Sequence, residues 1–148
     1  MSTPVDEIDQ IMAVMSTAFD PAFGEAWNRR QVEDALLIGN CHYGLVHTGE
    51  VCAGFYLSRS GVDEEELLLL AVCPEFRGVG LGQQLLSAFA AQACLRGAQR
   101  LLLEMRRGNP AEKLYLANGF EQIGERPGYY RSANGARIDA LTFACAVP

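Results

Sequence analysis

LLLLAVCPEFRGVGLGQ, residues 67–83, decides how this chain folds. The seven apolar residues Leu67–Cys73 have the length of a fully buried strand, and turn residues bound them. Pro74 and Glu75 end the run, and Arg77-Gly78-Val79-Gly80-Leu81-Gly82 then opens a helix that continues through Leu85, Leu86, Phe89, Ala90 and Ala93. A strand that passes through a glycine-rich turn into a helix leaves several backbone N–H groups without partners at the positive end of a helix dipole. Such a place accepts an anion. Glycines there let the anion come close to the backbone.

Two common phosphate loops do not fit. A Walker loop requires GxxxxGK[ST], and no Lys-Ser or Lys-Thr follows these glycines. A dinucleotide fingerprint, GxGxxG, fails from Gly78 at Gln83, although Glu104 falls where a ribose-binding acid would be sought. Five residues also separate Val72 from Gly78, which is long for a first strand–helix turn of that kind. The pattern that fits is Arg-x-x-Gly-x-Gly at Arg77, Gly80 and Gly82. It resembles the acetyl-coenzyme A pyrophosphate loop of the GCN5-related N-acetyltransferase (GNAT) superfamily.

Working outward, 148 residues suit a single domain with one core, expected over 1–148. The net charge of −6 argues against a nucleic-acid partner. The charge is uneven. Residues 1–66 hold 12 acids against 3 arginines, and residues 67–148 hold 6 acids against 9 basic residues, so the anion loop lies in the basic part. An acidic first half suits solubility or attraction of a cationic acceptor. No apolar run approaches the ~20 residues of a membrane span, and no basic-then-apolar signal pattern opens the chain. Five cysteines (41, 52, 73, 94, 145), an odd number without C-x-x-C, speak for a reducing cytoplasm and against a disulfide framework or zinc site. No metal is expected.

The remaining pattern places the other elements. Thr3 as cap, Pro4, then Ile8, Ile11, Met12, Met15 and Phe19 predict a helix, and Asp20–Gly24 a loop. A second helix begins at Asn28 with Gln31 completing a capping box, Trp27 and Val32 as a staple, and Gly39 as stop. Cys41–Val46 and Val51–Ser58 form a hairpin around Thr48-Gly49. After the long helix, stopped at Gly97, come a strand Arg100–Met105, a short helix Pro110–Asn118, a strand from Phe120 that runs on toward Tyr130, and a last strand Ile138–Val147. The order ααβββαβαββ implies an α/β (α+β) fold: a mixed sheet covered by helices, parallel where strand and helix alternate. This matches the GNAT fold, with about six to seven strands and helices on both faces.

Transfer of an acetyl group to an amine needs a proton acceptor for the amine, a donor for the developing oxyanion and a proton for the leaving thiolate. Glu104 ends an apolar strand at the carboxyl end, where α/β ligands bind. It reads either as a base or as the partner of Arg106 or Arg107. Tyr115 reads either as a proton donor or as a core aromatic. Asn109 reads as a helix cap, a cofactor contact, or both. Tyr129 and Tyr130, after Pro127-Gly128, read as lining a peptide groove or as strand-pairing aromatics. His42 and His47 read as structural.

The segment LLLEMRRGNPAEKLYLANGF, residues 101–120, is similar to the bacterial ribosomal-protein alanine N-acetyltransferases, whose Glu-x-Arg, Asn, Leu-Tyr and Gly-Phe pattern falls on Glu104, Arg106, Asn109, Leu114, Tyr115, Gly119 and Phe120. Arg126, Tyr129, Tyr130, Gly135, Asp139 and Ala140 match the pattern of its closing region, and Trp27 that of its early region. The resemblance implies Glu104 as proton acceptor and Tyr115 as proton donor. It implies acetyl-CoA as cosubstrate, held by Leu70, Ala71, Val72, Arg77, Gly78, Val79, Gly80, Leu81, Gly82, Gln83 and Asn109. It implies an acceptor that is a protein or peptide N-terminus, alanine of a ribosomal protein, met by Trp27, Leu69, Tyr129 and Tyr130. Two departures stand out. Asn109 to Tyr115 is six residues, one fewer than the family pattern, and one residue turns a helix by about 100°. Leu69 stands where many relatives carry a polar residue. A small-molecule amine or lysine as acceptor, and a non-catalytic coenzyme A sensor, are the competing readings; the oligomeric state stays open.

Overall fold

The computed structural model describes residues 5–147. The expected cap at Thr3 and Pro4 lies outside the described residues. Helix α1 (Val5–Ala18) puts Ile8, Ile11, Val14 and Met15 inward, at helical spacing. Helix α2 (Arg29–Ile38) starts as its sequence dictates. The Asn28 side chain accepts from the Gln31 N–H, the Gln31 side chain accepts from the Asn28 N–H, and Gly39 closes it at φ 95°. Trp27 packs with Val32 in one apolar cluster, as the staple requires.

Six strands follow: β1 (Cys41–Thr48), β2 (Val51–Ser60), β3 (Glu64–Val72), β4 (Arg100–Arg106), β5 (Glu121–Arg131) and β6 (Arg137–Ala146). Helix α3 (Leu81–Leu95) connects β3 to β4, and a short α4 (Glu112–Ala117) connects β4 to β5. The sheet order is β1-β2-β3-β4-β6-β5, with β3–β4 its parallel pair and the rest antiparallel. The element order and the mixed sheet agree with the expectation from sequence. Helices α1 and α2 cover one face over Phe55, Leu57, Leu69 and Ala71. Helix α3 covers the other, over Tyr56, Leu67, Leu101, Leu103 and Phe143, joined there by Tyr115 of α4.

The decisive stretch differs in one respect from its reading as a fully buried strand. β3 begins three residues earlier, at Glu64, and its burial alternates along its length. Glu65 is 1% exposed, because Arg96 at the C-cap of α3 grips its carboxylate through Nε (2.8 Å) and Nη2 (2.6 Å) while the Ser58 hydroxyl donates to it at 2.7 Å. An acid can sit in a core when it is paired in this way. A β-bulge breaks the β2–β3 register between Ser58↔Leu67 and Leu57↔Leu69, leaving Leu68 as the extra residue. Leu67 therefore packs under α3, whereas Leu69 packs under α1.

The bulge positions the site. The β3–β4 ladder runs only from Glu64↔Arg100 to Leu67↔Leu103. Beyond it the strands part, and the edge of Leu68–Val72 that faces β4 has no ladder partner. At the far edge β5 is largely exposed and carries two irregularities of its own, one of them between Arg126 and Tyr130 around Pro127-Gly128. Proline and bulges are tolerated on an edge strand.

Candidate active site

Two clefts open on either side of the parting between β3 and β4. The larger, about 750 Å3, lies between the C-terminal half of β3, the N-terminus of α3 and the start of α4. Leu70, Ala71, Val72 and Asn109 line it. So do Arg77, Gly78, Gly80, Leu81 and Gly82 from the loop and first turn of α3. Val79 and Gln83 do not: Val79 is 72% exposed, and Gln83 exchanges two 2.8 Å hydrogen bonds with Asn118, tying α3 to the end of α4.

The loop is built to present N–H groups. Gly78 (φ 82°) and Gly80 (φ 89°) adopt left-handed backbone that other residues avoid. A Cβ on either would meet nothing within 4 Å, so conformation rather than space requires glycine there. At Gly82 space also counts, since a Cβ would touch Leu114 of α4 at 3.4 Å. No side chain caps α3, and among the described residues the N–H groups from Gly78 to Gln83 have no protein acceptor. Unpaired donors, a helix dipole and open space fit a pyrophosphate. Arg77 itself is spent on the scaffold: its Nε donates to the Val72 carbonyl (3.0 Å) and its Nη2 to the Ala18 carbonyl (2.7 Å). It fixes the loop against β3 and α1.

The smaller cleft, about 450 Å3, lies on the opposite side. Trp27, Leu69, Tyr129 and Tyr130 line it together with Glu104, so the structure brings the expected acceptor residues together around the expected base. Tyr115, Asn109, Glu25 and Leu70 line both clefts and mark where they meet.

Tyr115 reaches this junction despite the shortened spacing. Pro110-Ala111 form a turn and α4 begins only at Glu112, two residues later than the sequence suggested. The Asn109 side chain accepts from the Ala111 N–H at 2.9 Å and holds that turn, but it does not cap the helix as expected, because the N-cap of α4 is Ala111 and carries no side-chain cap bond. The Tyr115 ring packs edge-on against Phe120, centroids 5.9 Å apart. Among the described residues its hydroxyl has no protein hydrogen-bond partner and no fully buried side-chain polar atom is left unpaired, so the hydroxyl of this cleft-lining residue is not sealed in the core. Burial, and then the negative charge of Glu25, push its pKa up to about 12. The phenol therefore keeps its proton throughout the neutral range. Tyr130 is likewise pushed up to about 12 by burial and by the carboxylates of Glu104 and Glu25, with Tyr129 adding to the shift and Arg126 opposing it.

Glu104 is not the partner of Arg106 or Arg107. Arg126 takes that place, its Nε 3.0 Å from Glu104 Oε2, and the Thr142 hydroxyl donates to the same oxygen at 3.4 Å. Arg107 is occupied by Glu125 and Asp139. Arg106 pairs with Glu25 at 3.1 Å, with its guanidinium 3.8 Å above the Phe23 ring. Arg106 and Glu104 alternate with buried Met105 on one strand, so they share the face turned to the α1–α2 connection. Glu25 is a site residue that the sequence reading missed. It follows a loop, fits no motif spacing, and is held by its ion pair with Arg106, whose guanidinium rests on the Phe23 ring.

His42 and His47 serve structural contacts, to Ser60 (3.1 Å) and Gln10 (2.7 Å). All five cysteines are free. Among the described residues no group of His, Cys, Asp and Glu is placed to hold a metal ion, and no helix is long and apolar enough to cross a membrane.

Comparison with known proteins agrees with this geometry. The family described as the acetyltransferase (GNAT) domain matches residues 39–122, more than half of the chain. The chain is 36% identical over 92 residues to the [ribosomal protein bS18]-alanine N-acetyltransferase of Haemophilus influenzae, covering 62% of this chain and 63% of that protein. The chain thus spans less than two thirds of that relative's length. Over 104 residues it is 34% identical to the protein of the same description from Escherichia coli strain K12, covering 70% and 69%. The crystal structure of the ribosomal-protein-S18-alanine N-acetyltransferase from Escherichia coli superposes with a TM-score of 0.86 at 26% identity, covering 99% of this chain and 92% of that one.

Proposed function

The chain belongs to the acetyltransferase (GNAT) family, and from that premise we propose that residues 1–148 act as one catalytic domain that moves the acetyl group of acetyl-CoA to a protein N-terminal α-amine, with alanine of a ribosomal protein as the acceptor that its relatives' names suggest. One observation carries the reading: a donor-rich cleft and an acidic, aromatic cleft meet at Tyr115, with Glu104 in the second.

Acetyl-CoA, when bound, supplies a thioester whose C–S bond is exchanged for a C–N bond, the amine lone pair going to the carbonyl carbon and the sulfur leaving with the bonding pair. The residues of this chain do the rest. The N–H groups of Gly78, Gly80, Leu81 and Gly82 hold the pyrophosphate, with the glycines fixing the loop and Arg77 bracing it. The unpaired edge of Leu70–Val72 offers backbone groups to an extended arm of the cosubstrate. Glu104 takes the proton that the attacking nitrogen loses, directly or through water. Tyr115, protonated throughout the neutral range, gives a proton to the departing sulfur. Water then reprotonates Tyr115 and deprotonates Glu104, so the products are an amide and a free thiol. Trp27, Leu69, Tyr129 and Tyr130 enclose the acceptor.

The acceptor class follows from proton affinity. A free α-amine titrates at about 7.7–8.0 and lysine at about 10.4. At pH 7 the first needs at most about one unit of help, while the second needs more than three, roughly 4.6 kcal/mol. One partly solvated carboxylate is adequate for the first task.

Release of free thiol from acetyl-CoA tests this reading. An N-terminal peptide amine is expected to trigger release, with Glu104→Gln and Tyr115→Phe each lowering kcat by ~10²-fold or more while coenzyme binding is kept. Thiol-binding without turnover on any amine would leave a coenzyme A sensor in place of an enzyme.

A further inference from the structure

The two oxygens of Glu104 are not equivalent. Oε2 accepts a hydrogen bond from the Thr142 hydroxyl (3.4 Å) and lies 3.0 Å from Arg126 Nε in an ion pair. Oε1 accepts no protein hydrogen bond among the described residues, and the carboxylate lies in the wall of the smaller cleft. Arg126 is not a neighbour of Glu104 on the sheet. It sits two strands away on β5, where its backbone pairs with Ala140 of β6, while Glu104 of β4 pairs with Thr142 of the same β6. The guanidinium thus crosses β6 diagonally to reach the carboxylate. It lies 4.8 Å from the Tyr129 ring centroid, over the ring face, and Tyr129 stands within the β5 irregularity whose Gly128 N–H donates to Asp139 at 2.9 Å. A planar fork held over an aromatic face presents its N–H groups in a fixed direction.

Resting on the reading of Glu104 as the proton acceptor, we propose that Arg126 is a positioning residue for it: by holding Oε2 against Thr142, it leaves Oε1 as the oxygen that receives the amine proton. Stability does not explain such a pair. Arg126 is 60% exposed, and an exposed ion pair contributes at most about 1 kcal/mol. Orientation does, because a misplaced base costs rate far more than it costs folding. The bulge that aims Tyr129 and Tyr130 at the acceptor also sets the arm of Arg126, so β5 shapes acceptor enclosure and base geometry together.

The test is a double-mutant cycle on Arg126 and Glu104, read by steady-state kinetics with an N-terminal alanine peptide. Arg126→Ala is expected to lower kcat about tenfold while the acceptor KM changes less than threefold and coenzyme binding stays the same, since Arg126 lies outside the larger cleft. Arg126→Lys keeps the charge, lacks the fork, and is expected to recover only part of the loss. In a Glu104→Gln background, Arg126→Ala is expected to cost nothing further, because its effect passes through the carboxylate. Additive losses in the double variant, or an unchanged kcat in Arg126→Ala, would overturn the proposal and leave Glu104 as base. Full activity of Glu104→Gln alone would instead remove the base itself, and with it this role for Arg126.

Discussion

Gly80 shows what a single residue contributes. Its φ of 89° and ψ of 8° place it at the N-cap of α3 without a side-chain cap, in open space. An anion approaching α3 would meet whatever stood there. Gly80→Asn and Gly80→Asp strain the backbone alike and differ in one charge, so the pair separates conformation from electrostatics. By calorimetry, the Asp variant is expected to bind coenzyme A at least tenfold more weakly than the Asn variant, about 1.4 kcal/mol. Equal affinity in the two would show that no phosphate rests on this loop. The glycines, Glu104 and Tyr115, which line the two clefts, were legible in the sequence as candidates because each belongs to a spaced motif. Arg77 was legible as a loop residue, but not as a brace, because its acceptors are carbonyls of Val72 and Ala18. The partner of Glu104 was misread for a similar reason. Arg106 and Arg107 are near in sequence, yet alternation along β4 and the reach of β5 across β6 bring Arg126 instead.

Among the elements, β3 and α3 are locked by a buried charge. Burial alone would raise the carboxyl of Glu65, but hydrogen bonds from Arg96 and Ser58 and the guanidinium charge hold it below the ordinary value. Arg96→Ala would strand that carboxylate in the core, and chemical denaturation at neutral pH is expected to show a loss of about 3–5 kcal/mol. The pH dependence follows from the sign. A carboxyl lowered in the folded state adds stability that is present above its unfolded value, near 4.3, and is lost as pH falls through the folded value. In Arg96→Ala the buried acid prefers its proton, so the gap between variant and parent is expected to narrow as pH drops below about 4. A gap that is small, or equal at every pH, would mean that the pair does not hold β3 to α3. The three glutamates at 64–66 hid the start of this strand, since charge reads as a loop until Arg96 and Ser58 are seen to satisfy Glu65. The bulge at Leu68 left no sequence signal, because all four leucines of Leu67–Leu70 are equally apolar and only the paired register reveals the extra residue.

Charge is divided unevenly along the whole chain. The acidic first half contributes Glu66, paired with Arg59, to the smaller cleft and Glu25, paired with Arg106, to both clefts, while the anion loop belongs to the basic second half. The order of helices and strands, and the site at the carboxyl ends of β3 and β4, were legible from periodicity, turn residues and motif spacing together. What sequence did not show is that β3 and β4 part after Leu67↔Leu103, which makes one site out of two clefts. The central claim is that an α-amine entering one cleft takes the acetyl group presented in the other. It is tested most directly by incubating the protein with acetyl-CoA and a peptide that carries a free N-terminal alanine and an internal lysine, alongside the same peptide with its terminus blocked, and locating the acetyl group by mass spectrometry. The account predicts acetyl on the alanine nitrogen of the open peptide and none on the blocked one; acetylation of the blocked peptide's lysine, or of a free polyamine, faster than of the open α-amine would contradict it.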